Sequence, residues 1–270
     1  MNSLEKCLIL IILLKVLCLV ESYPSNKIPC TKSDIGIKPC EASRKIILGM
    51  NRRGNPEERG PYFEGDIIRS RNKQLKKPPK LWINGIVPYE ISGTFPPTNK
   101  KTLMTAIEEV NSKTCLNLIP RTNQKDFIIF KSDPSSCWSS IGRIGGPQVV
   151  NLESQCLKAV GTGIHEIFHS VGLYHEQNRI DRDDFVDIKT DNILNSKLVN
   201  FQKTAENVYN TNGVGYDYGS VMHYSPYSFS KNGKITIETK GNPNTKRIMG
   251  QRAGMSQNDI EKIKRMYNCQ

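Results

Sequence analysis

The stretch His165-Glu166-Ile167-Phe168-His169-Ser170-Val171-Gly172-Leu173-Tyr174-His175 decides how this chain of 270 residues is read. On a helix, His165 and His169 are four positions apart, about one turn, so both imidazoles face the same side. Two neutral imidazoles at that spacing can hold one Zn²⁺. Glu166 sits beside the first ligand, where its carboxylate can reach a water at the metal. Gly172 can adopt the left-handed backbone that ends a helix. The chain then turns and brings His175 back as a third ligand. Three protein ligands leave one position open, as in catalytic rather than structural zinc sites. The chain has four histidines, three of them in this stretch and the fourth at His223.

Working outward, the zinc-binding helix is expected over 159–171. Residues 86–91, 116–119, 127–130 and 149–152 read as strands. Thr98 is expected to cap a helix whose apolar face is Leu103, Ala106, Ile107 and Val110. Ser256 caps a last helix, with Asp259 at its third position and Ile260, Ile263 and Tyr267 on one face. Order is expected to begin near Leu81-Trp82. Before it, residues 74–80 (QLKKPPK) are basic and proline-rich and should be extended and exposed.

The amino terminus sets the compartment. An apolar run over 8–19, with Lys6 before it and Val20 and Ser22 after, reads as a secretory signal over 1–22. A membrane anchor is the weaker reading, because the run is shorter than the ~20 residues a span requires. A secreted, extracellular protein is expected, with no membrane partner once the signal is removed. Residues 23–71 are rich in Lys, Arg, Asn, Gly and Pro, lack apolar periodicity, and read as a pro-segment. Residues 72–270 form the main domain. Without the signal, six cysteines remain, and an oxidising compartment favours disulfides, although spacing leaves 15 pairings open. The net charge is +12. A solvated basic surface with an exposed linker explains it better than binding to acidic matrix. No nucleic-acid motif is present, and no nucleic-acid partner is expected.

A second segment, Ser220-Val221-Met222-His223-Tyr224, makes the resemblance specific. With H-E-x-x-H-x-x-G-x-x-H followed by Glu176, it is similar to the astacin family of metzincin zinc proteases. Further matches are Leu81-Trp82, Val87-Pro88-Tyr89, Cys137-Trp138-Ser139, Gly145-Gly146-Pro147-Gln148 and Tyr216-Asp217-Tyr218-Gly219-Ser220. The likeness covers roughly residues 81–269. It implies an α+β metzincin fold of two lobes. The upper lobe would hold a twisted, mostly antiparallel sheet and the zinc helix, and the lower one the Met-turn and the C-terminal helix. It implies a monomeric, secreted endopeptidase that binds one Zn²⁺ and cuts protein or peptide substrates. Ending at Gln270, the chain would be a short form without the modules that tolloids and meprins append.

The same resemblance assigns roles. His165, His169 and His175 would hold zinc, Glu166 would be the general base, and Tyr224 would stabilise the oxyanion. Met222 would form an apolar floor, and His223 would be structural. Gly145–Leu152 would be the edge strand on which substrate lies, with Gly146 and Pro147 at its rim. Arg252 would line the pocket for the residue after the cut. Phe63-Glu64-Gly65-Asp66 matches the family's F-x-G-D motif, in which the aspartate occupies the open zinc position and keeps the precursor latent. A trypsin-like protease acting near Arg69 or Arg71 would release a new amino terminus near Asn72 that interacts with Glu176. Cys137–Cys156 and Cys115–Cys269 would be disulfides. Cys30 and Cys40, outside the common framework, are expected to pair with each other. A catalytically silent binding module on the same scaffold, or a structural zinc protein, is disfavoured by the intact three-histidine set with Glu166 and Tyr224.

Overall fold

The computed structural model describes residues 54–68, 78–93, 95–205, 211–241 and 244–269. The expected signal peptide, the Cys30–Cys40 pair and the activation cut lie outside them. Strand β1 (Ile86–Ile91) leads into helix α1 (Pro97–Lys113). Pro97 starts the helix at a position where its missing N–H leaves nothing unsatisfied, so Thr98 lies inside the first turn and caps nothing. The expected face of Leu103, Ala106, Ile107 and Val110 is buried. Four strands follow: β2 (Asn117–Pro120), β3 (Phe127–Lys131), β4 (Cys137–Trp138) and β5 (Pro147–Leu152).

These strands form one sheet in the order β2-β1-β3-β5-β4. The pairs β1–β2, β1–β3 and β3–β5 are parallel, and only β4–β5 is antiparallel. The expectation of a mostly antiparallel sheet is therefore corrected. Helix α1 is a crossover between β1 and β2, and such a connection returns the chain in the same direction. A second correction concerns β5, which was expected at the sheet's edge. It lies between β3 and β4, paired on both sides, and the edge strand on that side is the two-residue β4.

Helix α2 (Val160–Val171) follows β5, and helix α3 (Gln257–Met266) closes the domain. Ser256 and Asp259 form the expected reciprocal cap of α3. One apolar core joins the sheet to α1, α2 and Ile263 of α3. A smaller core gathers Val186, Ile193, Phe201, Tyr216, Tyr224, Ile237 and Met249 around the hairpin of β6 (Val186–Ile188) and β7 (Ile237–Thr239). Two lobes are thus present. Met222 and the C-terminal helix, expected in the lower lobe, join the larger core instead. Both expected disulfides of the main domain form, Cys115–Cys269 and Cys137–Cys156. The second ties edge strand β4 to the short turn Cys156–Lys158 that enters α2.

Candidate metal centre and cleft

Helix α2 is buried on nearly every side, so its polar groups need partners inside the protein. Gly172 ends it at φ +120°, and its N–H caps the carbonyls of Phe168 and His169. This turn lets His175 rejoin the two helical histidines. The three rings lie 4.6–5.2 Å apart, centroid to centroid, and all are fully buried.

Each ring is fixed through Nδ1. His165 Nδ1–H donates to the Val221 carbonyl at 2.8 Å, and His169 Nδ1–H donates to the Leu173 carbonyl at 2.8 Å. His175 Nδ1–H donates to Glu64 Oε2 at 2.6 Å. These bonds fix each ring through Nδ1 and turn the three Nε2 atoms inward. Asp66 meets them at 3.0 Å (His165), 3.3 Å (His175) and 3.5 Å (His169). One donor atom from each of the four residues lies within 4.8 Å of the others. His169 Nε2 and Asp66 Oδ1 are buried and make no hydrogen bond. Three imidazole nitrogens and one carboxylate oxygen, some without other partners, are a donor set that suits Zn²⁺.

The electrostatics agree with a cation-seeking pocket. Burial opposes the charge of Asp66, but the three imidazoles outweigh it and hold its carboxyl well below the usual range. Burial pushes His165 well down, toward the neutral ligand form. Burial would lower His175 as well, yet Asp66 and Glu64 attract positive charge onto it and raise it to about 10. Glu166 lies fully buried with neither oxygen hydrogen-bonded. Burial first, then the charges of Asp66 and Glu57, push its carboxyl well up.

The segment 54–68 fills the cleft between the lobes. Gly65, at φ +93°, lets the segment fold tightly on itself, because a Cβ there would lie 2.8 Å from the Glu57 carbonyl oxygen. Asp66 O accepts from Ser139 N–H at 2.9 Å, and Ser139 O accepts from Ile68 N–H at 2.9 Å, so the segment runs parallel to the chain just past β4. On the other side, Tyr224 Oη–H donates to the Glu64 carbonyl at 2.5 Å, and Glu64 N–H donates to Asn200 Oδ1 at 3.1 Å.

Other expected residues divide into those at the cleft and those outside it. Arg252 lies at the cleft, its Nε 2.5 Å from Glu57 Oε1. Gly146 and Pro147 do not bear on segment 54–68. Gly146 N–H donates to Asp126 Oδ1 at 2.7 Å, and Pro147 pairs in register with Phe127 of β3. Met222 is buried, and its carbonyl accepts from Glu176 N–H at 3.1 Å. His223 is outside the metal group. Its Nδ1–H donates to Tyr224 O at 2.7 Å, and its Nε2 accepts from Tyr216 Oη–H at 2.7 Å. Glu176 is buried, ion-paired with Lys262 and, at 3.2 Å, with Arg179.

Sequence reasoning missed Glu57, Glu58, Glu64, Ser225, Ser228 and Lys262. Glu64 occupies the variable position of F-x-G-D, where no residue type is demanded. The doublet Glu57-Glu58 was detectable only as an acidic pair in a basic tract.

Comparison with known proteins gives a consistent result. The profile of the peptidase family described as Astacin matches residues 74–268. Zinc metalloproteinase nas-13 of Caenorhabditis elegans is 44% identical over 190 residues, covering 70% of this chain and 41% of that protein. Zinc metalloproteinase nas-4 of the same organism is 35% identical over 236 residues, covering 82% of this chain and 73% of that protein. This chain therefore spans less than half of the first relative's length. Among solved structures, high choriolytic enzyme 1, a hatching enzyme zinc-protease from Oryzias latipes, is 35% identical. It superposes with a TM-score of 0.65 over 76% of this chain and all of that one.

Proposed function

Because this chain belongs to the astacin family, we propose that it is a secreted zinc-dependent endopeptidase, held latent by its pro-segment until a proteolytic cut releases it. The observation that carries this reading is Asp66, buried against the three Nε2 atoms that a catalytic zinc would use. A carboxylate of the chain itself fills the place where water and substrate must meet.

His165, His169 and His175 would hold the zinc, which when bound would supply Lewis acidity to the attacking water and the scissile carbonyl. Glu166 takes the proton from that water and passes it to the leaving amine. Its two unpartnered oxygens suit this role, since a general base must be free to accept. The Tyr224 hydroxyl donates to the oxyanion that develops on the carbonyl oxygen. In the latent chain the same hydroxyl donates to a peptide carbonyl, that of Glu64. His165 and His169 keep their rings oriented through the Nδ1 bonds to the Val221 and Leu173 carbonyls, whereas the Nδ1 partner of His175, Glu64, leaves with the segment.

Arg252 fits a pocket for an acidic side chain after the cut, and its ion pair with Glu57 supports that assignment. Activation by a trypsin-like protease at Arg69 or Arg71 would separate segment 54–68 from the main domain. Glu176, already bound by Lys262 and Arg179, would then receive the new amino terminus into an existing polar network. The signal-like run over 8–19 and the two disulfides support secretion. Among the described residues, no helix is long and apolar enough to cross a membrane. The enzyme acts as a monomer on protein or peptide substrates.

The test is cleavage of casein by the full chain, before and after limited trypsin treatment, each with and without a zinc chelator. Activity that appears only after trypsin and disappears with chelator is the expected result. A processed, zinc-loaded protein that cleaves neither casein nor a peptide library would overturn the protease reading.

A further inference from the structure

Beside the histidines, the cleft contains a second pocket shaped around a carboxylate. Glu58 is only 2% exposed. Its oxygens accept from Ser225 N–H at 2.8 Å, Ser225 Oγ at 3.1 Å and Ser228 Oγ at 2.6 Å. Two more donors come from the pro-segment, Asn55 N–H at 3.2 Å and Asn55 Nδ2 at 2.9 Å. The carboxylate is thus satisfied by neutral donors alone.

This pocket adjoins the Arg252 site. Ser225 directly follows Tyr224, and Arg252 Nη1 donates to the His223 carbonyl at 3.3 Å. Arg252 Nη2 is buried and makes no hydrogen bond, although Glu57 lies on its Nε. Removal of segment 54–68 takes acceptors from both places together. The Ser225 and Ser228 hydroxyls keep contact with each other at 3.1 Å. Ser225 N–H keeps nothing, because Glu58 is its acceptor among the described residues.

We propose that Ser225 and Ser228 form a carboxylate-binding subsite of the processed cleft. Next to Arg252, it makes the cleft a receptor for peptide segments that carry two adjacent acidic side chains. Glu57-Glu58 is the occupant of this double site in the uncut chain. The proposal rests on the reading that residues 54–68 leave on activation, and it adds the neutral serine pocket to the arginine.

The experiment is direct binding, by fluorescence anisotropy, of a labelled peptide covering residues 54–60 to the full chain after trypsin processing and removal of the released segment. Peptides carrying Glu58→Gln or Glu57→Gln are compared on wild-type protein and on Ser228→Ala. Exchanging a charge-assisted acceptor for a neutral one should weaken the Glu58→Gln peptide roughly tenfold on wild-type protein. On Ser228→Ala the gap between the Glu58→Gln and unmodified peptides should shrink to about threefold, because one of the three protein donors is gone while Ser225 N–H and Oγ remain. Equal binding of the Glu58→Gln and unmodified peptides to wild-type protein would overturn the proposal. So would the same tenfold loss on Ser228→Ala. The wild-type comparison needs no altered protein, so it decides even if Ser228→Ala fails to fold. Because binding is read rather than cleavage, a processed protein with no peptidase activity could still show the discrimination, which keeps the two readings separable.

Discussion

Replacing Asp66 by alanine in the full chain tests whether its carboxylate is what keeps the cleft closed. Asp66 is fully buried and faces three imidazole nitrogens at 3.0, 3.3 and 3.5 Å. Breaking such a buried charged pairing costs about 3–5 kcal/mol. The lower figure applies here, because Glu57, Glu58 and Glu64 still anchor the segment to Arg252, Ser225, Ser228 and His175. A loss of about 3 kcal/mol raises the open fraction roughly a hundredfold. A wild-type leak on the order of 0.1% of the activated rate would then reach about 10%, short of full activity. The assay is initial-rate cleavage of a fluorogenic peptide by uncut protein, with chain integrity confirmed by mass at the end. Asp66→Asn, which keeps the volume and removes the charge, should leak to a similar degree. If neither variant exceeded twice the wild-type leak, the reasoning would be wrong, and latency would have to come from the flanking glutamates. A leak with alanine but not with asparagine would transfer the effect from charge to packing.

Three further outcomes are expected. Glu166→Ala should lower the activated rate by roughly 10²–10⁴-fold, while zinc content measured by atomic absorption stays near one per chain; equal turnover would remove Glu166 from the chemistry. Lys262→Met leaves the Glu176 carboxylate with Arg179 and the Asp217 N–H but without its closest cation. Denaturant unfolding should show a loss of about 3 kcal/mol, and a change under about 1 kcal/mol would show that Glu176 does not depend on the pair. Burial lowers His223 from 6.5 to about 4. Above pH 6.5 the ring is neutral folded or unfolded and its contribution is intact; between 6.5 and 4 only the unfolded chain takes up the proton, so stability falls with pH by about 3 kcal/mol and then levels. An imidazole NMR signal for His223 that titrates near 6.5 in the folded protein would contradict this.

The local part of the site was legible in the sequence because helix periodicity alone places His165, His169 and Glu166, and Gly172 alone explains the return of His175. The capping box at Ser256 is legible for the same reason, since both partners lie within one turn. Strand direction is different. The expectation of a mostly antiparallel sheet rests on the family resemblance alone, and neither the helix between β1 and β2 nor the six-residue link 121–126 between β2 and β3 enters it. Those strands do not pair: β3 lies on the far side of β1. The true edge strand has two residues, Cys137 and Trp138, too short for any period to register. Lys262 was hidden because its charge suggests a surface position, yet it shares a helical face with Asp259 and Ile263 and lies 2% exposed beside Glu176.

Under the proposed latency, the contacts of segment 54–68 give Asp66 partners in holding the cleft. Between residues 54 and 68 there are four carboxylates, Glu57, Glu58, Glu64 and Asp66, against one guanidinium, Arg59, a net charge of −3 within a chain of +12. Each carboxylate meets its own donors: Arg252, the two serines, His175 and the inward nitrogens. Four separate anchors make release cooperative, since losing any one leaves the others to re-form the contact. A single activating cut after residue 68 would remove the tether without touching an anchor, so dissociation would follow the cut as a distinct step. Cleft opening should therefore slow when salt is low and quicken when charge is screened, while the cut itself would depend on the activating protease. On the proposed activation, loss of the segment would leave Arg252 and His175 without their carboxylates, and the resulting cleft would favour acidic peptide for the same electrostatic reason that it held its own.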